Sequence, residues 1–360
     1  MVLPNEAKII ELINTYITES NMHKNKIHLI LVVNLRGITE NDDDYDGTSI
    51  EAEYWAIEKF EIILNTYRNI GFEVSCFYDE KDFINYYIKN LYGNNIEKDY
   101  LVINYAQKGT SIGRKSLIPS FCDLFKLKRT GSNPYVVSLA RNKYHSSCIL
   151  SNNNIPTAQS YLYHYEYGWI SSLKPSFNEI VIAKLNYESS SIGLSSDNIF
   201  MYSDDKVSFL KSLSIQYNQP IIVQQFISGF EIELPVLCSR SNIIPILPVG
   251  ISLNDNIFLA DNILDYNIRK SREYGFYNFL DIDKLISSKM MNAATKCVEL
   301  FDLNGFARVD FRVDKNMNFY ITDIATNPGI TKETSYYFAF KNLGMTYQNM
   351  LETFIGINIQ

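Results

Sequence analysis

Two aspartates near the C-terminus are spaced for cation chemistry. In Gly305-Phe-Ala-Arg-Val-Asp-Phe-Arg-Val-Asp314, Ala307, Val309, Phe311 and Val313 fall on one face of a strand and Arg308, Asp310 and Arg312 on the other. A second segment, Phe319-Tyr-Ile-Thr-Asp-Ile-Ala325, follows a turn centred on Asn316 and Met317. If that turn holds an even number of residues, Asp310 faces Asp323 and Arg308 faces Ala325 across a hairpin. Opposed carboxylates, with Cβ atoms about 4.5–5.5 Å apart, repel unless a cation lies between them. A divalent metal resolves that repulsion, and ligands made of oxygen alone suit magnesium. The same pattern also fits two solvated surface carboxylates, and a turn shifted by one residue would separate the pair.

Lys184 closes the apolar run Ile180-Val-Ile-Ala-Lys and precedes Glu188-Ser-Ser-Ser-Ile-Gly193. Small residues let a loop bring backbone N–H groups and hydroxyls close to an anion, and the adjacent lysine supplies charge. Taken alone, the segment reads as a solvated Ser-rich loop, and Lys143 as a surface lysine. Asp42-x-Asp-x-Asp-Gly47-x5-Glu53 matches a calcium loop, but Ser49 stands where an aliphatic residue belongs and a strand precedes it, so it reads as an acidic, exposed loop. His23, His28, His145 and His164 show no ligand spacing.

The elements that must position these groups follow from periodicity. Apolar residues at helical spacing predict a helix over Glu6–Ile17, and Ile27–Leu35 reads as a buried strand. A helix over Ala52–Ile70 capped by Gly71, then strands Phe72–Phe77 and Tyr100–Tyr105, completes a parallel α/β unit whose ligands gather beyond the strand C-termini. After a helix over Arg141–Ser151 the chain reads as strands Glu179–Lys184, Pro220–Ile227, Glu231–Cys238 and Ile243–Val249. Helices lie near Asp204–Tyr217, over Asp281–Phe301 and from Thr346.

The chain has 360 residues, 46% of them hydrophobic, with 33 Lys and Arg against 40 Asp and Glu for a net charge of −7. The length predicts two or three domains, and the acidic balance argues against non-specific nucleic-acid binding. No apolar run approaches the roughly 20 residues that a membrane helix needs. Met1–Ser20 lacks a secretory leader's order of charge and apolar residues, and five widely spaced cysteines without a Cys-x-x-Cys fit reduced thiols. A cytoplasmic protein is expected.

Taken in order, Lys143, Lys184 with its Ser loop, Gln224-Gln-Phe-Ile-Ser-Gly-Phe-Glu231, Ala-Arg-Val-Asp310 and Asp323…Pro-Gly329 resemble the ATP-grasp superfamily and, within it, the D-alanine–D-alanine ligases. The resemblance runs from about Lys143 to the C-terminus. It implies an α/β fold of the ATP-grasp type (α+β). An N-terminal parallel α/β substrate domain (1–137) precedes a central ATP-grasp subdomain (138–217) and a C-terminal catalytic subdomain (218–360), with ATP between the two β-rich subdomains.

By the same resemblance Lys143 and Lys184 contact the ATP phosphates, under a mobile loop of Glu188, Ser190, Ser191 and Gly193. Gln224, Phe226 and Ile227 line the adenine, and Glu231 accepts from the ribose. Asp310 and Asp323 hold Mg2+, Arg269 replaces a family lysine directed at the γ-phosphate, and Arg308 lies beside the reacting carbonyl. The implied reaction phosphorylates a carboxylate with ATP and transfers the acyl group to an amine, the two substrates being small molecules, in the first place amino acids. Asn327, Gly329 and Thr334 are substrate-side candidates, and homodimerisation is a family expectation.

The departures bear on substrate. The family's Glu-x-Asn is Asp323-Ile-Ala325 here, so an asparagine oxygen is missing unless Asn327 swings in, which leaves one or two metals open. In the first loop only Glu51 or Glu53 could hold a substrate ammonium, by loose positional analogy. The second loop, Tyr105-Ala-Gln-Lys-Gly-Thr-Ser-Ile-Gly-Arg114-Lys115, is basic where acids are the rule, which fits either a substrate carboxylate at Lys108, Arg114 or Lys115 or solvated basic residues on a loop. These loops favour an amino-acid ligase of a specialised pathway over a cell-wall D-alanine–D-alanine ligase, while the retained Lys143, Lys184, Arg308 and Asp310 disfavour a catalytically weakened nucleotide-binding protein, which Ala325 would suggest.

Overall fold

The computed structural model describes residues 6–93 and 99–359. Residues 1–5 of the segment read for a leader lie outside that range. The helices are α1 (Glu6–His23), α2 (Ile57–Ile70), α3 (Glu80–Tyr86), α4 (Leu117–Phe125), α5 (Pro134–Arg141), α6 (Lys143–Asn152), α7 (Val207–Gln216), α8 (Tyr266–Ser271), α9 (Lys284–Phe301), α10 (Ser335–Asn342) and α11 (Tyr347–Ile359).

The strands form three sheets. The first, in spatial order β2-β1-β3-β4, is parallel and contains β1 (Ile27–Val33), β2 (Glu73–Phe77), β3 (Asp99–Tyr105) and β4 (Lys128–Arg129). Strand β1 is apolar along most of its length because both of its faces are covered. Leu29, Leu31 and Val33 join a core with α1, α2 and α11, whereas Ile30 and Val32 join Phe83, Ile118 and Cys122 on the other face. Helix α11 approaches α1 closely at Gly356, where a Cβ would lie 1.9 Å from the Tyr16 carbonyl oxygen.

The second sheet, β6-β5-β9-β7-β8, is antiparallel and contains β5 (Ser160–His164), β6 (Gly168–Trp169), β7 (Ile180–Leu185), β8 (Ile199–Met201) and β9 (Ile221–Gln225). Although β9 follows the expected boundary at 218, its ladders run to β5 and β7, so the central sheet extends to Gln225. The third sheet has β10 (Gly229–Cys238), β11 (Ile243–Pro245), β12 (Val249–Ser252), β13 (Gly275–Asn278), β14 (Gly305–Asp314) and β15 (Phe319–Ala325), in the order β13-β12-β10-β14-β15 with β11 on β10. The strand expected over Ile243–Val249 is two strands, because Pro245 and Pro248 withhold ladder donors. One face of this sheet buries α9, α5 and α6, while the other shares a core with α1, β1, α2 and α11 through Phe306, Tyr336 and Phe354.

Two local details place the candidate site. Helix α6 begins at Lys143 rather than Arg141, because Asn142 is extended and its side chain caps the His145 N–H at 3.0 Å. The β14–β15 hairpin turns through three residues, Lys315 to Met317, with Met317 in the left-handed region at φ 63°. An odd turn pairs Val313 with Phe319, one step out of the register that an even turn gives. A bulge between Asp310 and Phe311 restores that register, and Asp310 faces Asp323 with Arg308 facing Ala325.

Candidate active site

A cleft of about 420 Å³ opens where the three sheets meet. Its floor is the polar face of β10, β14 and β15. There Glu233, Asp310 and Asp323 lie side by side on neighbouring strands, since Glu233 pairs with Asp310 and Asp310 with Asp323. Each acid has a cationic partner. The Lys143 ammonium donates to both oxygens of Asp323 at 2.9 Å. The Arg308 guanidinium grips Asp310 through two 2.7 Å bonds and turns its third nitrogen to Glu233 at 3.1 Å. Ser335 Oγ donates to Glu233 at 2.6 Å.

Burial sets the proton affinities here. Asp310 is pushed up to about 6, chiefly by burial, with Glu233 and Asp323 adding to the rise and Arg308 opposing it. Burial also acts on Asp323, yet Lys143 wins and holds that carboxyl below its usual range. Lys184, on β7 above the aspartates, is pushed down to about 8 by burial and by Lys143, and donates to Gln224 Oε1 at 3.1 Å.

At the same end Phe226, Ile227 and Glu231 line the cleft. The Glu231 carboxylate accepts from Arg312 at 3.1 Å, and the Arg312 guanidinium stacks 5.1 Å from the centre of the Phe226 ring. The Ser loop covers this region, with Ser190 and Ser191 both in the left-handed region at φ 54° and 57°. Ser191 donates to the Leu264 carbonyl at 2.6 Å and accepts from Arg269 Nε at 3.1 Å.

The loop is anchored by a buried charge cluster. The Glu188 carboxylate accepts from Tyr45 at 2.9 Å, from Arg114 at 2.6 and 3.2 Å, and from Arg141 at 3.3 Å. Glu53 accepts from the Ser189 N–H and hydroxyl at 3.0 and 2.8 Å and pairs with Lys115 at 3.0 Å. Burial favours the neutral acid at Glu53, but Lys115, Arg141 and Arg114 hold its pKa well below the ordinary carboxylate range.

Most of the residues singled out in the sequence line this one cleft: Lys143, Lys184, Glu188, Ser190, Ser191, Gln224, Phe226, Ile227, Glu231, Arg269, Arg308, Asp310, Asp323, Asn327, Gly329, Thr334 and Glu53. Three do not. Gly193 sits beneath the loop, where a Cβ would meet Leu185 at 2.9 Å. Arg114 is held inward by Glu188, and Glu51 offers only its backbone carbonyl, to Arg36 at 2.9 Å. The expected carboxylate-binding lysines are occupied as well, Lys108 by Asp79 at 2.7 Å and Lys115 by Glu53. Asn327 does not turn toward the aspartates, since its amide donates to the Asn104 carbonyl at 2.7 Å.

The acidic first loop does not gather as a calcium site. Asp43 accepts from Thr110, Asp44 from Ser49 and the Ile50 N–H, and Glu53 belongs to the buried cluster. Among the described residues no three His, Cys, Asp or Glu side chains are grouped to hold a metal. Glu233 went unnoticed in the sequence and Arg312, placed on the polar face, was given no role, although the period of two that places Asp310 beside Arg308 also places Glu233 beside Glu231.

A sequence profile of the family described as D-ala D-ala ligase C-terminus matches residues 166–356. The chain belongs to that family. The D-alanine–D-alanine ligase of Borrelia hermsii is 26% identical over 262 residues, spanning 69% of this chain and 68% of that protein. The Haemophilus ducreyi D-alanine–D-alanine ligase is 19% identical over 88% of this chain and 96% of its own length. Among solved structures, the Bacillus anthracis D-alanine–D-alanine ligase complexed with ATP superposes with a TM-score of 0.64 at 15% identity, covering 92% of this chain and 97% of that one. The VanG D-Ala:D-Ser ligase of Enterococcus faecalis gives 0.63 at 16% identity, covering 92% and 99%. The family comprises ATP-dependent ligases that form carbon–nitrogen bonds. Among the described residues no helix is long and apolar enough to cross a membrane.

Proposed function

We propose that this ligase joins two amino acids, or an amino acid and another small metabolite, in a specialised pathway, and that the reaction proceeds through an acyl phosphate. The observation that carries the reading is the opposition of Asp310 and Asp323 on the floor of a cleft into which Lys143, Lys184 and the Ser loop also project. Two carboxylates fit a magnesium ion that takes its remaining ligands from nucleotide phosphates and water, the usual magnesium arrangement rather than an all-protein cage. When bound, the ion neutralises phosphate charge beside the transferred group.

The residues of this chain then divide the work. Lys143 and Lys184 bind the phosphates, Ser190 and Ser191 cover them, and Glu231 accepts from the ribose hydroxyls. Arg269, held between Ser191 and Glu233, faces the γ-phosphoryl group. A substrate carboxylate oxygen attacks that phosphorus and ADP leaves. The partner's amine then attacks the acyl carbon, loses a proton, and phosphate departs as the amide forms. Arg308 stands beside the oxygen on which charge accumulates.

ADP release over paired amino acids and small metabolites, with mass spectrometry of the product, tests the proposal, with Asp310→Asn as the control. Turnover that yields an amide and is lost in the control supports it. D-alanine giving the highest turnover assigns the chain to cell-wall synthesis instead. Ala325, where the family has asparagine, favours a weakened catalyst as the second reading, for which magnesium-nucleotide binding without ADP release on any pair is the signature.

A further inference from the structure

On the floor of the cleft Arg308 is paired with Asp310 and Glu233. Beyond Glu233, however, the cleft wall carries Arg36 after β1, Lys59 on α2 and Arg272 after α8. Lys59 and Arg272 share one oxygen of Glu333, at 3.3 and 3.7 Å. Arg36 donates to the carbonyls of Glu51 and Ala52 at 2.9 and 3.1 Å and, among the described residues, forms no ion pair.

Thus three cations from three separate elements line this end of the cleft, and among the described residues Glu333, paired with Lys59 and Arg272, is the one carboxylate within ion-pair distance of any of them. The Glu51 carboxylate and the Tyr266 phenol contribute only at longer range. The wall is partly apolar there, with Trp55, Tyr274 and Phe276 beside the charges. Lys59 is 22% exposed, so water does not fully screen it. Burial and then the Arg272 charge lower the proton affinity of both Arg36 and Lys59, with Glu333 opposing the shift at Lys59.

We infer that this end of the cleft is an anion subsite formed by Arg36, Lys59 and Arg272, and that it selects a substrate carrying a second acidic group besides the carboxylate that reacts. The inference deepens the ligase reading and rests on it. The substrate class is an amino acid with an acidic side chain, and a carboxylate or a phosphate group would satisfy the same three cations.

The test measures ADP release with glutamate against glutamine, aspartate against asparagine and O-phosphoserine against serine, in both enantiomers. Acidic substrates are expected to exceed their neutral isosteres at least tenfold in kcat/KM, as one poorly screened ion pair allows. Lys59→Met and Arg272→Met should erase that preference by raising KM for the acidic member alone. Arg272 is 41% exposed, so its replacement costs the fold least. The ranking of aspartate and glutamate against O-phosphoserine distinguishes carboxylate from phosphate. Equal use of acidic and neutral isosteres, or equal loss on both in the variants, overturns the inference.

ADP release on no pair at all refutes the ligase reading instead. Calorimetry with glutarate then decides the subsite, which requires binding to the parent chain that Lys59→Met abolishes.

Discussion

Replacing Glu188 with glutamine keeps the shape of the side chain and removes one of the two carboxylates that hold Arg114, Arg141 and Lys115 in the interior. Arg114 and Glu188 are each 2% exposed, so water cannot take the place of the lost charge. Arg114 and Arg141 would be left sharing Glu53, which lies 3.9 and 3.8 Å away and is already engaged by Lys115 and Ser189. Removing one partner of a buried ion pair costs about 3–5 kcal/mol. Glutamine still accepts one hydrogen bond, which favours the lower figure. The Ser loop carries this cost because its Ser189 and Gly193 N–H groups donate to Glu53 and Thr48. At about 1.4 kcal/mol per factor of ten, a loss of about 3 kcal/mol speeds local opening by roughly a hundredfold. Amide hydrogen exchange over residues 187–194 reads that change directly, with β1 as the internal reference. Exchange within a factor of about three of the parent protein would show that the cluster does not hold the loop, and the reasoning fails.

Other outcomes follow from single residues. Because burial brings Lys184 down to about 8, its ammonium is progressively lost above that pH, and affinity for a triphosphate should fall by about tenfold per unit between roughly pH 8 and 10. Lys184→Arg stays charged and should flatten the calorimetric profile, so an unchanged slope in the variant is the refuting result. Glu231→Gln removes the charge that pairs with Arg312 and should raise the KM for nucleotide by about tenfold with kcat kept, as loss of uniform binding does. A fall in kcat at constant KM would contradict the ribose assignment. Gly356→Ala drives a methyl group into the Tyr16 carbonyl and should destabilise the α1–α11 contact by about 1–3 kcal/mol, visible as a lower thermal midpoint. An unshifted midpoint would mean that the helices separate freely.

How far the sequence carried depends on the range of the interaction concerned. The alternation of β14 already put Asp310 and Arg308 on one face, because side chains alternate across a strand whatever lies around it. The opposition of Asp310 to Asp323 was also legible, but its premise was not. The turn is odd, and the bulge beside Phe311 returns the register that the turn had displaced. The basic second loop shows the limit of local reading. Arg114 and Lys115 look available in the sequence because their partners, Glu188 and Glu53, are distant along the chain. For the same reason Arg36, Lys59 and Arg272 gave no signal, each being an ordinary basic residue until the three elements meet around the cleft.

The sequence by itself determined the polar strand faces and the parallel α/β start, which rest on periodicity and nearby spacing, and the order of its motifs carried the family resemblance. Only the tertiary structure decided which charges are spent and which are free. Coulomb partners are chosen by distance in space and strengthened by burial, and neither quantity is written in the separation of residues along a chain.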